Sequence, residues 1–279
     1  MVHGETKKPF VNLSSLEYVP WETRNLGMPA FGVAESFLKQ PQLVQLEGDL
    51  AVLKQELPRF FVQARVSDQD HLEAIGILQK VGFFYVETVF TFVMRLKHHP
   101  LLAAFCSDPQ SFLPKRYRGR LEAFLLRSSE DPNLAGASEL LRGAFSYDRF
   151  HRDPHCPERI ADQRFGYWLL DLLNDSKARI VTFFLDTKMA GVGILRDAEI
   201  VLAAAEKSWQ RSGLGSYGFL WLLRMAKESG HREAYGVVSV HNIPMVRLLL
   251  RHTPLLYAQT QVTLHYWYLP VQQGESLSS

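Results

Sequence analysis

The sequence predicts an α/β protein built on a mixed sheet, and three features carry that reading. Short runs of aromatic and β-branched residues alternate with amphipathic stretches of helical period. Asp186, Thr187 and Lys188 separate two apolar runs of strand length, as in a hairpin. A further strand-like run leads through Gln210-Arg211-Ser212-Gly213-Leu214-Gly215 directly into a long amphipathic segment.

Taken in order, Gly48 to Leu57 reads as a helix, Phe60 to Val66 as a strand, and His71 to Val81 as a helix stopped by Gly82. The run Phe84 to Leu96 alternates with period two around one polar break, which fits either a hairpin or one long bent strand. The stretch His98 to Arg120 is basic and punctuated by proline. It reads as a boundary between an N-terminal domain, 1–115, and a C-terminal one, 121–279, with Lys115 to Arg120 as a solvated linker.

The second half opens with a strand at Leu121 to Leu126 and a helix at Asn133 to Phe145. A polar stretch and a helix at Ile160 to Leu173 follow. Strands are expected at Ile180 to Leu185, Met189 to Leu195 and Glu199 to Ala205, then a helix from Gly213 to Ser229 with Leu214, Tyr217, Gly218, Trp221, Leu222 and Met225 on one stripe. Tyr235 to Val240 is a strand, Ile243 to Arg251 a helix and Gln261 to Tyr268 a closing strand. Val262, Leu264, Tyr266 and Tyr268 alternate along that last strand, where they can bury against the sheet or pair with a second subunit as a homodimer.

Two segments echo each other: ARVSDQDHLEAIGILQKVGFFYVETVFTF and GVVSVHNIPMVRLLLRHTPLLYAQTQVTL. Ser67 falls on Ser239 and Asp70 on Asn242 at a common offset of 172 residues. An internal duplication explains this, and so does the sharing of one set of α/β rules by two unrelated units.

Composition narrows the function. Among 279 residues, 31 Lys and Arg oppose 29 Asp and Glu for a net charge of +2, which leaves no single-sign field to draw nucleic acid or anionic lipid. The residues MVHGETKKPF contain no apolar signal core, so the expectation is a cytoplasmic protein without membrane contact. Cys106 and Cys156 lack the paired spacing of a zinc or redox site. His151 and His155 are split by Pro154, which breaks the helix that would place both on one face, so no metal is expected.

The informative motif is the loop from Gln210 to Gly215. Glycines at 213 and 215 let a backbone approach a ligand closely, and the amides of Ser212, Gly213, Leu214, Gly215, Ser216 and Tyr217 converge where a helix begins. Such a terminus suits a phosphate or diphosphate, and Arg211 could add a charge-assisted bond. Taken alone, the two glycines could equally form a tight strand-to-helix connection. A dinucleotide fingerprint is excluded, because the third glycine and the acidic residue after the next strand are missing; so is the lysine of a nucleotide-binding P-loop.

With the hairpin and third strand before the loop, and a strand, Asn242 and a helix after it, the chain resembles the GNAT acyltransferase superfamily. Within it, the chain is most similar to the sugar-nucleotide branch typified by dTDP-fucosamine N-acetyltransferase. Trp21-Glu22-Thr23 with Leu26-Gly27, ARVSDQD, VGFFYVETVFTF and FSYDRFHRDP extend the resemblance over most of the chain. It implies a C-terminal GNAT fold preceded by a divergent half of related topology, with acetyl-CoA as acyl donor and the amine of a small molecule, such as a nucleotide-linked amino sugar, as acceptor. It also implies that Gln210 to Tyr217 cradle the diphosphate, that backbone amides of Ala203, Ala204 and Ala205 pair with pantetheine and the developing oxyanion, and that Asn242 contacts the pantetheine arm. Glu206 is then the nearest candidate base.

One departure stands out. The tyrosine that in this superfamily often protonates the leaving thiolate aligns with Leu249, which has no proton to give. His241, His252 or Tyr257 could substitute. Among Tyr147, Asp148, Arg149, His151, Arg152, Asp153 and His155, the residues Tyr147, Arg149 and His151 are the candidates for acceptor binding, a charged loop being the alternative. The rival functions are a non-catalytic acyl-CoA-binding protein, and acylation of an amino acid or a protein N-terminus.

Overall fold

A computed structural model describes residues 13–67, 72–251 and 255–270. Among them the chain forms two compact units: residues up to Glu87 together with those from Thr260 onward, and Thr88 to Gln259. Strands β4 (Phe84–Arg95) and β10 (Leu255–Tyr268) each run from one unit into the other.

The first unit contains β1 (Leu16–Tyr18), α1 (Pro20–Leu26), β2 (Ala30–Val33), α2 (Glu35–Lys39), α3 (Leu43–Glu56), β3 (Phe60–Ser67) and α4 (Leu72–Lys80). β1 and β2 pair antiparallel, β2 and β3 parallel, and β3 and β10 antiparallel from Phe60↔Tyr268 to Ser67↔Gln261. Leu46, Leu50 and Leu53 of α3 and Ala74 and Leu78 of α4 pack on Phe60, Val62, Ala64 and Val66, with Leu264 and Tyr266 of β10. The apolar alternation of the last strand is therefore accounted for by burial within this unit. The elements between residues 16 and 39 were not legible in the sequence, because each is too short to show a period.

β4 is one twelve-residue strand rather than a hairpin, and its part in the second unit is laddered to β9 (Glu233–Ser239) from Val89↔Ser239 to Arg95↔Glu233. The rest are α5 (Leu102–Ser107), β5 (Leu121–Leu126), α6 (Leu134–Ala144), α7 (Glu158–Leu173), β6 (Ala178–Leu185), β7 (Lys188–Arg196), β8 (Glu199–Ala205), α8 (Leu214–Glu228) and α9 (Ile243–Arg251). The strand order is β4-β9-β8-β7-β6-β5, antiparallel except for β8 and β9. One core joins Phe219, Leu222 and Leu223 of α8 to Phe92, Val181 and Ala234; another joins Leu141 of α6 and Leu169 of α7 to Ile180, Val192, Ile194 and Leu202.

The division expected at 115–121 falls inside this second unit. Residues 98–120 are folded, with Leu102, Phe105, Leu113 and Tyr117 buried in the α8 core. Nor is Lys115 to Arg120 a free linker: Arg118 donates to the Leu113 carbonyl at 3.1 Å and the Ser111 carbonyl at 2.9 Å, and Arg120 pairs with Asp186 at 2.5 Å. Short 3₁₀ turns at Pro109–Phe112 and Lys115–Tyr117 carry these contacts without a helical period, so the sequence pattern looks like a spacer.

Candidate functional site

The loop before α8 shows why its glycines stand where they do. Arg211 has φ 61° and Gly213 φ 94°, and these left-handed residues turn the chain from a 3₁₀ turn at Lys207–Trp209 into the helix. A Cβ on Gly213 would touch Pro114 Cγ at 3.4 Å and one on Gly215 would touch Leu248 Cδ1 at 3.4 Å, both ordinary contacts, so it is the positive φ of Gly213 that calls for glycine.

The expected convergence of six amides needs correction. The Ser212 N–H bonds to the Trp209 carbonyl at 3.2 Å, the Leu214 N–H to Ser212 Oγ at 3.4 Å, and the Tyr217 N–H to the Gly213 carbonyl at 3.3 Å. The amides of Gly213, Gly215 and Ser216 remain without a partner among the described residues, at the positive end of a fifteen-residue helix. The phenol of Tyr217 is a core group: it is buried, its ring packs on Phe105 at 5.3 Å and Trp221 at 5.9 Å, and burial raises its pKa. Gln210 and Arg211 are exposed beside the loop.

On the strand side, the parallel ladder between β8 and β9 holds only Glu199↔Tyr235 and Ile200↔Gly236, while β8 continues to Ala205 and β9 to Ser239. The two strands therefore part company after Ile200. The Glu206 N–H donates to the Ala190 carbonyl at 3.0 Å, so antiparallel alternation turns the Ala204 amide toward β7 and those of Ala203 and Ala205 toward the opened β9 side. Ala204 thus spends its amide within the sheet and contributes only its methyl group.

An apolar slot enclosing about 80 Å³ of open space lies here, lined among others by Ala203, Ala205, Gly215, Met245 and Leu248. Sequence reasoning missed Gly191 and Gly193 of its β7 wall. A Cβ at Gly191 would lie 2.9 Å from the Ala204 carbonyl, and one at Gly193 3.0 Å from Leu222 Cδ2. The spacing Gly-Val-Gly was the available signal, but in a strand it reads equally as a weak strand interior.

The polar candidates fare unevenly. Glu206 is half-buried at the end of β8, and its carboxylate accepts from the Ser208 N–H at 2.8 Å and from the Ser208 hydroxyl, capping the 3₁₀ turn. Asn242 Oδ1 accepts from the Met245 N–H at 3.2 Å as the cap of α9. His241, between them in the chain order of β9 and α9, is half-buried; burial, then the nearby charge of Arg152, holds its pKa below the usual 6.5, so the imidazole is neutral at pH 7. His252 lies outside the described residues, and Leu249 is 1 % exposed within the α8 core.

Two of the three acceptor candidates are used by the protein itself. His151 is clamped by two carboxylates, Asp148 on Nδ1 and Asp162 on Nε2 at 2.9 Å, and Arg164 joins Asp148 at 3.2 Å. Burial works against the imidazolium, but the two carboxylates outweigh it and raise the His151 pKa. Burial likewise opposes the Asp148 carboxylate, yet His151 and Arg164 bring its pKa down to about 2. This clamp ties the 147–157 loop to α7 and leaves no ring nitrogen for a substrate. Arg149 is buried, with its guanidinium 4.7 Å from the centre of the Phe150 ring. Tyr147 is 41 % exposed and remains open to a ligand. No group of three or more His, Cys, Asp or Glu among the described residues is placed to hold a metal ion, and no helix there is long and apolar enough to cross a membrane.

This architecture is the fold of the GCN5-related N-acetyltransferases. The chain is similar to a GCN5-related N-acetyltransferase from Sphaerobacter thermophilus, with a TM-score of 0.57 and 13 % identity over 90 % of this chain and 76 % of that one. It is also similar to a tandem GNAT protein from the clavulanic acid biosynthesis pathway, with a TM-score of 0.56 and 12 % identity over 86 % and 76 % of the two chains. A fungal GCN5-related glucosamine N-acetyltransferase region gives a TM-score of 0.50 at 11 % identity, over 85 % of this chain and 30 % of that one. No protein-family model and no curated protein sequence matches the chain.

Proposed function

We propose that the protein is an acyl-CoA-dependent N-acyltransferase, which moves an acetyl group to the amine of a small acceptor such as a nucleotide-linked amino sugar. One observation supports this above the others: Ala205, from the opened strand, and Gly215, from the helix start with spare amides, line a single slot. The residues fit the donor. The amides of Gly213, Gly215 and Ser216 suit its diphosphate, with Gln210 and Arg211 alongside, and those of Ala203 and Ala205 suit the pantetheine amides and the reacting carbonyl oxygen. Bound acyl-CoA would supply an activated acyl group and a thiol leaving group.

The rest of the chemistry falls to side chains. An amine acceptor arrives as an ammonium and must lose a proton; a neutral His241 is in the right state to accept it, with Glu206 as the alternative base. Met245 and Leu248 give the slot an apolar wall, and a low local dielectric strengthens hydrogen bonds from the strand amides. Tyr147 is the remaining candidate on the acceptor side, and the amino-sugar class agrees with the glucosamine N-acetyltransferase region among the structural neighbours.

The test is thiol release from acetyl-CoA by the purified protein in the presence of amines, including nucleotide-linked amino sugars, amino acids and N-terminal peptides. Acceptor-dependent release supports the transferase. Binding of acetyl-CoA without release by any amine supports the second reading, a non-catalytic acyl-CoA-binding protein, which the buried Leu249 in place of a proton-donating tyrosine favours.

A further inference from the structure

A second cleft, of about 430 Å³, opens at the other end of the β4–β9 ladder from the slot, and its wall is Arg95, Lys97, His98, Arg232 and Glu233. Two guanidinium groups, an amine and an imidazole line it with one carboxylate. Arg95 accounts for that carboxylate, with Nε 3.5 Å from Glu233 Oε1 across the last rung of the ladder. Lys97 and Arg232 have no ionic partner among the described residues. The whole chain carries an excess of only two positive charges, so two uncompensated cations sharing one cleft are a concentration of charge that the composition does not require.

The backbone that presents these side chains is hydrogen-bonded and anchored by buried neighbours. The Leu96 N–H donates to the Arg232 carbonyl at 2.9 Å and the Leu102 N–H to the His99 carbonyl at 3.2 Å, while Leu96, His99 and Leu102 are buried beneath the turn. Charged side chains on a fixed frame lose less entropy on meeting a ligand than the same groups on a mobile loop. The opposite rung, Val89↔Ser239, lies six residues along β9, about 20 Å away at ~3.3 Å per residue, so the cleft is separate from the groups assigned to acyl transfer.

We propose that this cleft is an oxyanion site for a phosphate dianion, free or as a monoester. Two negative charges match the two uncompensated cations, the guanidinium of Arg232 offers a planar fork to two phosphate oxygens, and Lys97 adds a point charge. His98 can donate one further hydrogen bond.

The test is residue-resolved amide NMR of the full chain titrated with inorganic phosphate, with glucose 6-phosphate as the monoester arm and acetate as a monoanion control. Saturable shifts are expected at residues 95–98 and 232–233 with phosphate or the monoester, whichever binds more tightly identifying the source, and not with acetate. The amides of residues 213–216 can respond to phosphate too, but the two sets are distinguished by assignment. The double variant Lys97→Ala, Arg232→Ala should weaken the first set roughly tenfold or more while leaving the second unchanged. If that variant does not fold, the single exposed substitution Lys97→Gln should weaken the first set severalfold. Absence of saturable shifts at residues 95–98 and 232–233, equal shifts with acetate, or affinity unchanged in the variants would overturn the proposal.

Discussion

Ser67 stands opposite Gln261 in the β3–β10 ladder, and moving both by the 172-residue offset, one up and one down, gives Ser239 opposite Val89 in the β4–β9 ladder. The rule holds at the other end: Phe60 pairs with Tyr268, and the Leu96 N–H bonds to the Arg232 carbonyl. A faint sequence echo is thereby matched by two ladders in the same register, each made by the last strand of one half with a strand of the other. Shared α/β rules account for similar elements but not for a common register, which supports duplication.

Duplication locates what the first half lacks. The offset places Gly213 on Pro41 and Gly215 on Leu43, the first residue of α3. Proline has no N–H and cannot adopt a left-handed φ, so that helix start has no counterpart of the glycine loop. Calorimetric titration with acetyl-CoA is expected to give one site per chain; two equivalent sites would contradict the assignment.

Gly213→Ala places a side chain at φ 94° and 3.4 Å from Pro114 Cγ. The expected cost is about 1–2 kcal/mol in denaturant unfolding, with acetyl-CoA affinity falling roughly tenfold or more as the neighbouring amides move. Unaltered affinity would mean that the loop is only a connection.

The clamp around His151 makes stability depend on pH in two windows. The folded His151 pKa is raised, so its contribution is complete below the unfolded value near 6.5 and is lost as pH rises through the folded value. Asp148 falls from 3.8 to about 2, so its contribution, about 2 kcal/mol, is present above 3.8 and lost as pH drops toward 2. His151→Ala should destabilise by roughly 3 kcal/mol at pH 6, because it leaves two carboxylates facing an empty space, and should lose the upper window altogether. Urea midpoints measured from pH 3 to 9 check both signs.

A neutral His241 acting as base predicts that kcat/KM falls on the acid side through a pKa below 6.5, and that His241→Gln removes this limb while retaining acetyl-CoA binding. A pH profile that His241→Gln leaves unchanged would transfer the role to Glu206.

Leu249→Tyr restores the residue that the superfamily pattern has, but into a fully packed core. A loss of about 1–3 kcal/mol is expected from overpacking, without a gain in turnover. An increase in acceptor-dependent thiol release would show that the phenol reaches the slot after all.

Periodicity and turn chemistry made the sheet legible. The β6–β7 hairpin, the strand before the loop and the stripe on α8 are local patterns whose apolar positions repeat with the element, and the structure has all three. The chain from 98 to 120 was misread because its buried positions belong to a six-residue helix, as with Phe105, or to a 3₁₀ turn, as with Tyr117, both too short to show a repeat.

By itself the sequence determined the mixed α/β class, the place of the glycine loop and the absence of a proton donor at Leu249, because each depends on residue type or on spacing along one element. Only the tertiary structure decided which groups are spent. That His151 is held by Asp162 of α7 as well as by its neighbour Asp148, and that β8 leaves β9 after Ile200, depend on hydrogen bonds between segments that the chain's linear order does not pair.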